Sequence, residues 1–119
     1  MTVAIIDSGG SNLRSVAKAI DRLNKSYVIT DIADEIMKAS FVILPGVGSA
    51  EIVMNELRKK NLVDVINNLK QPVLGICIGM QILFEYSAEG NTKCLGLIKG
   101  DIRKFDESAD IKVPQMGWN

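Results

Sequence analysis

Short apolar runs alternate along this chain with longer stretches in which apolar residues recur every three or four positions. Val3 to Ile6 form a continuous apolar run with β-branched residues, closed by Asp7, and read as a buried strand. Ser8-Gly9-Gly10-Ser11-Asn12 follows as a turn whose end offers helix N-cap residues. Leu13, Val16, Ala17, Ile20 and Leu23 then repeat at helical spacing. Tyr27 to Ile29 read as a second strand, and residues 34–39 as one or two helical turns. Phe41 to Leu44 form a third apolar strand, ended by Pro45-Gly46-Val47-Gly48. Ala50, Val53, Met54 and Leu57 make one helical stripe, and Leu62, Val65, Ile66 and Leu69 another, with Asn61 as the break.

Residues 72–76 read as a fourth strand with Cys77 where it ends, and residues 79–86 as a helix. From Leu95 the pattern shortens: residues 95–98, 101–105 and 113–116 read as brief strands separated by polar turns. Strands alternating with helices predict one α/β domain over residues 1–119, a mostly parallel sheet with helices on both faces. No internal repeat, low-complexity tract or interdomain linker interrupts it. In such sheets ligands bind at the carboxyl ends of the strands. Three glycine-containing loops fall there, at residues 8–12, 45–49 and 75–79.

Charge narrows the function classes. Lys plus Arg and Asp plus Glu number 14 each, a balance without the basic excess expected of a nucleic-acid-binding domain or a polybasic membrane anchor. No apolar run reaches transmembrane length, and the N-terminus has no basic leader, so neither a membrane span nor a signal peptide is predicted and the cytoplasm is the expected compartment. The two cysteines, Cys77 and Cys94, fit neither a disulfide scaffold nor a zinc pattern. The chain has no histidine, which excludes a Cys-His or Ser-His catalytic unit contained within these residues and removes the commonest metal ligand.

Gly75-Ile76-Cys77-Ile78-Gly79 places a cysteine between glycines where an apolar strand gives way to a helix. This is the cysteine counterpart of the nucleophile elbow, in which a sharp turn lifts the nucleophile above the sheet and side chains at the flanking positions would crowd it. A helix N-terminus at the sulfur favours thiolate over thiol, and the thiolate is the nucleophile. The N–H of Ile78 is then placed to meet an oxyanion. The pentapeptide alone is also compatible with a small buried core residue; the strand-turn-helix setting favours the nucleophile. Cys94 lies in a polar loop without such a setting and reads as structural. Pro45-Gly46-Val47-Gly48 lacks the third glycine of a dinucleotide fingerprint, and alone it is an ordinary turn. Ser8-Gly9-Gly10-Ser11 reads equally as an anion cradle or a tight turn with a cap.

Leu74-Gly75-Ile76-Cys77-Ile78-Gly79-Met80-Gln81 resembles the nucleophile motif of the class I glutamine amidotransferases. Residues 7–13, 44–48 and 113–119 follow the same family in the right order, and together the four segments resemble its branch of glutaminase subunits of imidazole glycerol phosphate synthase, from histidine biosynthesis. The resemblance implies a flavodoxin-like fold and Cys77 as the nucleophile that takes ammonia from glutamine through a glutamyl thioester. It implies oxyanion N–H groups from Val47 and Ile78. Gly48, Gln81 and Glu89 would hold the substrate glutamine. Asn12, Met116 and Trp118 would face a (β/α)8 synthase subunit, the heterodimer partner that receives the ammonia. It implies no cofactor and no metal.

The plainer readings are a solvated Gln81, an exposed loop charge at Glu89, and core packing for Met116 and Trp118. Two departures stand out. The family's H-x-E pair is absent from these 119 residues, so the domain is expected to be incomplete here and inactive alone. Position 115 is Gln where the family usually has a non-catalytic His, which opens the alternative of a paralogue serving another synthase. A non-catalytic docking module and a redox-sensing Cys77 are further alternatives.

Overall fold

The computed structural model describes residues 1–9 and 13–106. Four strands, β1 (Thr2–Ile6), β2 (Ser26–Thr30), β3 (Phe41–Gly46) and β4 (Val73–Cys77), form a parallel sheet in the order β2-β1-β3-β4. This is the first part of the doubly wound flavodoxin-like order. The helices between them are α1 (Leu13–Arg22), α2 (Ala33–Lys38), α3 (Ala50–Lys59) and α4 (Val63–Asn67), and α5 (Ile78–Gln81) follows β4. A second, small sheet contains β5 (Tyr86–Ser87), β6 (Thr92–Lys93) and β7 (Asp101–Ile102) in the order β6-β5-β7, with a 3-10 turn at Glu89–Asn91.

The period of two along β1 and β3 sorts their side chains onto two faces. Ala4, Ile6, Val42 and Leu44 pack with Ile36 of α2, Val53, Met54 and Leu57 of α3, Ile66 of α4, and Ile82. Val3, Ile5 and Ile43 pack on the other face with Ala17 and Ile20 of α1. The expected covering of both faces is therefore present, and the central strands are buried on both sides, which is why they read as unbroken apolar runs.

Asn61 breaks the two stripes by closing α3. It adopts φ +58°, its N–H donates to the carbonyl of Arg58, and the N–H of Leu62 donates to that of Leu57. These are the paired bonds of a Schellman motif, with Asn in the left-handed position usually held by Gly. Ser49 caps the other end of α3, its side chain accepting from the N–H of Ile52.

Four expectations need correction. β3 does not stop at Leu44 but runs through Pro45 to Gly46. Its pairing with β1 ends at Ile43, so from Leu44 onward it pairs with β4 alone, and a proline is tolerated where one side of a strand is free. The helix expected over residues 79–86 is a single turn, Ile78–Gln81. The carbonyls of Ile82, Leu83 and Phe84 that a longer helix would use are taken by the N–H groups of Leu95, Gly96, Leu97 and Ile98. For the same reason residues 95–98 are not a strand, and the strand expected over residues 101–105 reduces to Asp101–Ile102. The segment 113–116 lies outside the described residues.

Candidate functional site

Cys77 ends β4 and carries φ +56° and ψ −121°, a conformation unusual for a residue with a side chain. Such strain costs about 1–3 kcal/mol and persists where the surroundings hold it. Here β4 is paired to β3 up to Cys77 itself, opposite Gly46, while α5 begins at the next residue. The side chain is exposed at the carboxyl end of the sheet.

The glycines of the elbow act differently from the expectation that they make room for the sulfur. A Cβ on Gly79 would lie 1.8 Å from the carbonyl oxygen of Leu44, and one on Gly75 would lie 2.7 Å from Cα of Met80. The glycines therefore let α5 press onto β3 and β4, and this contact fixes the direction in which the chain leaves Cys77. α5 is one turn rather than two, so the long helix expected to begin beside Cys77 is absent.

The register of β3 and β4 sets Val47 immediately after the residue opposite Cys77. Val47 is exposed, and Gly48 has φ +92°, a value that favours glycine. The Ser8 hydroxyl, fully buried, donates to the carbonyl of Pro45 at 3.0 Å and ties the first glycine loop to the second. All three loops singled out from the sequence thus stand at one end of the sheet, although residues 10–12 of the first lie outside the described residues.

Gln81 is the last residue of α5, one helical turn, about 6 Å, along from Cys77. It lines an open cavity of about 480 Å³ together with Glu89, Ser87, Ala88, Ile102, Arg103 and Lys104. Glu89 is exposed, as an ordinary loop charge would be, but it is also tied down: its Oε1 accepts from the N–H of Ala50 at 3.2 Å, at the start of α3 and two residues after Gly48. The structure so brings Gly48, Gln81 and Glu89 into one neighbourhood. Cys77 is not among the residues lining the cavity. Asn12, Met116 and Trp118, with Gln115, lie outside the described residues.

Sequence reasoning missed Ser87. It is fully buried in β5, lines the cavity, and its Oγ has no hydrogen-bond partner among the described residues. An unsatisfied buried hydroxyl costs about 1–3 kcal/mol. Nothing in the pattern around a two-residue strand signals this burial.

Cys94 differs from its expected setting in a polar loop. It is 6% exposed, within the core beside Leu57 and Leu62, and its thiol donates to the carbonyl of Thr92 at 3.5 Å. Burial pushes the Cys94 thiol up, while the positive charge of Arg58 and the backbone N–H of Ser87 pull it down. It is a structural thiol, as expected. Among the described residues no group of three or more His, Cys, Asp or Glu is placed to hold a metal ion, and no helix is long and apolar enough to cross a membrane.

The chain is 50% identical over 121 residues to "Imidazole glycerol phosphate synthase subunit HisH" of Dehalococcoides mccartyi, covering 98% of this chain and 58% of that protein. It is 49% identical to the HisH 2 subunit of Legionella pneumophila strain Paris, covering 98% and 59%, and 48% identical to HisH of Xanthomonas oryzae pv. oryzae, covering 98% and 58%. The chain therefore spans less than two thirds of the length of these relatives. Among solved structures it is similar to a candidate peptidase E from Listeria monocytogenes, with a TM-score of 0.62 and 17% identity over 71% of this chain and 50% of that one, a likeness of fold alone. The family model for glutamine amidotransferase class-I matches residues 4–119, and the chain belongs to that family.

Proposed function

We propose that this chain supplies the glutaminase chemistry of an imidazole glycerol phosphate synthase, releasing ammonia from glutamine for a synthase partner in histidine biosynthesis. The observation that carries the reading is the strained Cys77 elbow, held opposite Gly46 of the Pro45-Gly46-Val47-Gly48 loop and one helical turn from a cavity lined by Gln81 and Glu89. The similarity to HisH proteins supports the choice of pathway.

In this mechanism the Cys77 thiolate attacks the side-chain amide carbon of glutamine. The new C–S bond pushes the carbonyl electrons onto oxygen, where the N–H groups of Val47 and Ile78 stabilise the charge. Collapse expels the amide nitrogen, which takes a proton to leave as ammonia. Water then attacks the glutamyl thioester, and glutamate leaves as the C–S bond breaks. Gly48, Gln81 and Glu89 hold the substrate, with the Glu89 carboxylate facing its ammonium group.

Proton transfer needs a general base, and none of these 119 residues is a histidine. The relatives continue well beyond the matched stretch, and the base is assigned to that additional length. The 119-residue chain by itself is then inactive. Asn12, Met116 and Trp118 are assigned to the interface with a (β/α)8 synthase subunit, which receives ammonia shielded from solvent, and the compartment is the cytoplasm.

The test is glutamine hydrolysis by the full-length protein together with its synthase subunit. Activity that disappears in Cys77→Ser, with a glutamyl adduct trapped at Cys77 in the wild type, supports the reading. Turnover by the 119-residue chain alone, or full activity in Cys77→Ser, overturns it.

A further inference from the structure

We propose that Ser8 is a positioning residue for the reaction, its hydroxyl holding the Pro45-Gly46 peptide so that the next N–H, that of Val47, meets the oxyanion. The inference rests on the glutaminase reading above.

The strand that carries this loop loses one of its two neighbours just before the site. β3 pairs with β1 only as far as Ile43, and from Leu44 onward β4 alone pairs with it, ending with Gly46 opposite Cys77. Pro45 is buried, so its carbonyl needs a donor from within the protein. Ser8, two residues past the end of β1, supplies one: its hydroxyl donates to the Pro45 carbonyl at 3.0 Å, and its side chain is fully buried.

Ser8 is itself held in place. The N–H of Asp7 donates to the carbonyl of Thr30 at 2.9 Å, at the end of β2. The carbonyl of Asp7 accepts from Nζ of Lys60 at 2.9 Å, and Lys60, the C-cap of α3, also pairs with Asp31 at 3.3 Å. The N–H of Gly9 donates to Oδ1 of Asp7 at 3.1 Å. The residue before Ser8 is thus anchored to both β2 and α3.

One Cα, that of Gly46, separates the peptide that Ser8 holds from the peptide that carries the Val47 N–H. Only the two torsions of Gly46 then aim that N–H. Close packing limits them: a Cβ on Gly46 would lie 2.9 Å from the backbone nitrogen of Gly79 and 3.2 Å from Cβ of Ile78. Without the Ser8 hydroxyl the buried Pro45 carbonyl has lost its donor, and turning that peptide to find another displaces the Val47 N–H. An oxyanion donor moved in this way lowers kcat, because the charge it meets develops only in the transition state.

The experiment uses the full-length protein with its synthase subunit. Ser8→Ala should lower glutaminase kcat about 10- to 100-fold, with the KM for glutamine within about 2-fold of wild type. Ser8→Thr and Ser8→Val share one shape and differ in the hydroxyl, so Ser8→Thr should be the more active by at least about 10-fold. Alkylation of Cys77 by iodoacetamide needs the thiolate but forms no oxyanion, and its rate should stay within about 2-fold of wild type in Ser8→Ala. Gln71→Ala is the control for lost stability alone. At the opposite end of β4, the Gln71 amide donates to the carbonyls of Ile36, Met37 and Ala39, and its loss should lower Tm while leaving kcat within about 2-fold.

Equal activity in Ser8→Thr and Ser8→Val, or an unchanged kcat in Ser8→Ala, overturns the assignment of Ser8 and leaves the glutaminase reading intact. A parallel fall in Cys77 alkylation shows that Ser8 acts on the elbow and overturns its role at the oxyanion loop. A fall in kcat in Gln71→Ala as large as that in Ser8→Ala reduces Ser8 to a stability contact. A wild type without glutaminase activity overturns the reading on which the inference rests, and the inference with it.

Discussion

The two sheets of this protein solve different problems. The four-stranded parallel sheet is held by apolar burial: β1 and β3 bury almost every side chain, between α1 on one face and α2, α3 and α4 on the other. The three-stranded sheet has two-residue strands, and main-chain hydrogen bonds hold much of it, including those from residues 94–98 to the carbonyls after α5. The first sheet fixes Cys77, the proposed nucleophile, because a strained residue needs rigid neighbours on both sides. The second carries Ser87 in β5 and Glu89 in the 3-10 turn that follows it. The difference teaches that the strained residue sits on the part of the molecule held by two-sided burial, while the cavity beside it is assembled from turns and strand ends.

Changes in the first sheet should have the larger effects. Cys77→Ser should lower glutaminase kcat by at least about 10³-fold with little change in Tm, since no other group supplies the nucleophile. Gly79→Ala should destabilise by about 3 kcal/mol or prevent folding, because the added methyl meets the Leu44 carbonyl at 1.8 Å. Urea unfolding of the full-length protein would measure it. A stable Gly79→Ala variant would mean that α5 can slide, and that the elbow is less rigid than the comparison holds.

Changes in the second sheet should be smaller and more selective. Glu89→Ala removes the acceptor for the N–H of Ala50 and should cost about 1 kcal/mol of stability, as for loss of a helix cap. Glu89→Gln retains an acceptor oxygen and should keep most of that stability while still raising the KM for glutamine. If Glu89→Gln bound glutamine normally, the carboxylate would be a cap alone.

The smallest effect belongs to Cys94. Burial raises the pKa of its folded thiol, so on raising the pH the unfolded chain loses that proton first, near the ordinary thiol value of about 8.5. The contribution to stability is therefore complete below that pH and is lost as pH rises from there through the folded pKa. Cys94→Ala should remove this decline in a Tm-against-pH series. Iodoacetamide should label Cys77, which is exposed, well before Cys94.

Much of this architecture was legible in the residues themselves. The runs at Val3 to Ile6 and Phe41 to Leu44 mark strands buried on two faces, and the stripe at Ala50, Val53, Met54 and Leu57 marks a helix with one buried face. Gly-x-Cys-x-Gly after a strand announces the elbow. The apolar pattern after Cys77 continues to Leu83 and Phe84 and so suggests a longer helix than the one turn that forms, because the carbonyls of residues 82–84 bond to residues 95–98, a competition between distant segments. Cys94 was placed in a polar loop because its neighbours are polar, and it is buried by contacts from α3 and α4.

The sequence by itself determined the alternation of strands and helices, the position of the Gly-x-Cys-x-Gly elbow and the absence of a histidine among these 119 residues, because these depend on local periodicity and residue type. Only the tertiary structure decided that Gly46 stands opposite Cys77, that Glu89 accepts from the first N–H of α3, and that Ser87 is buried with no side-chain hydrogen bond among the described residues. Each of these joins residues far apart in the chain or depends on what covers them. Such proximity is set by strand register and packing, which no local pattern encodes.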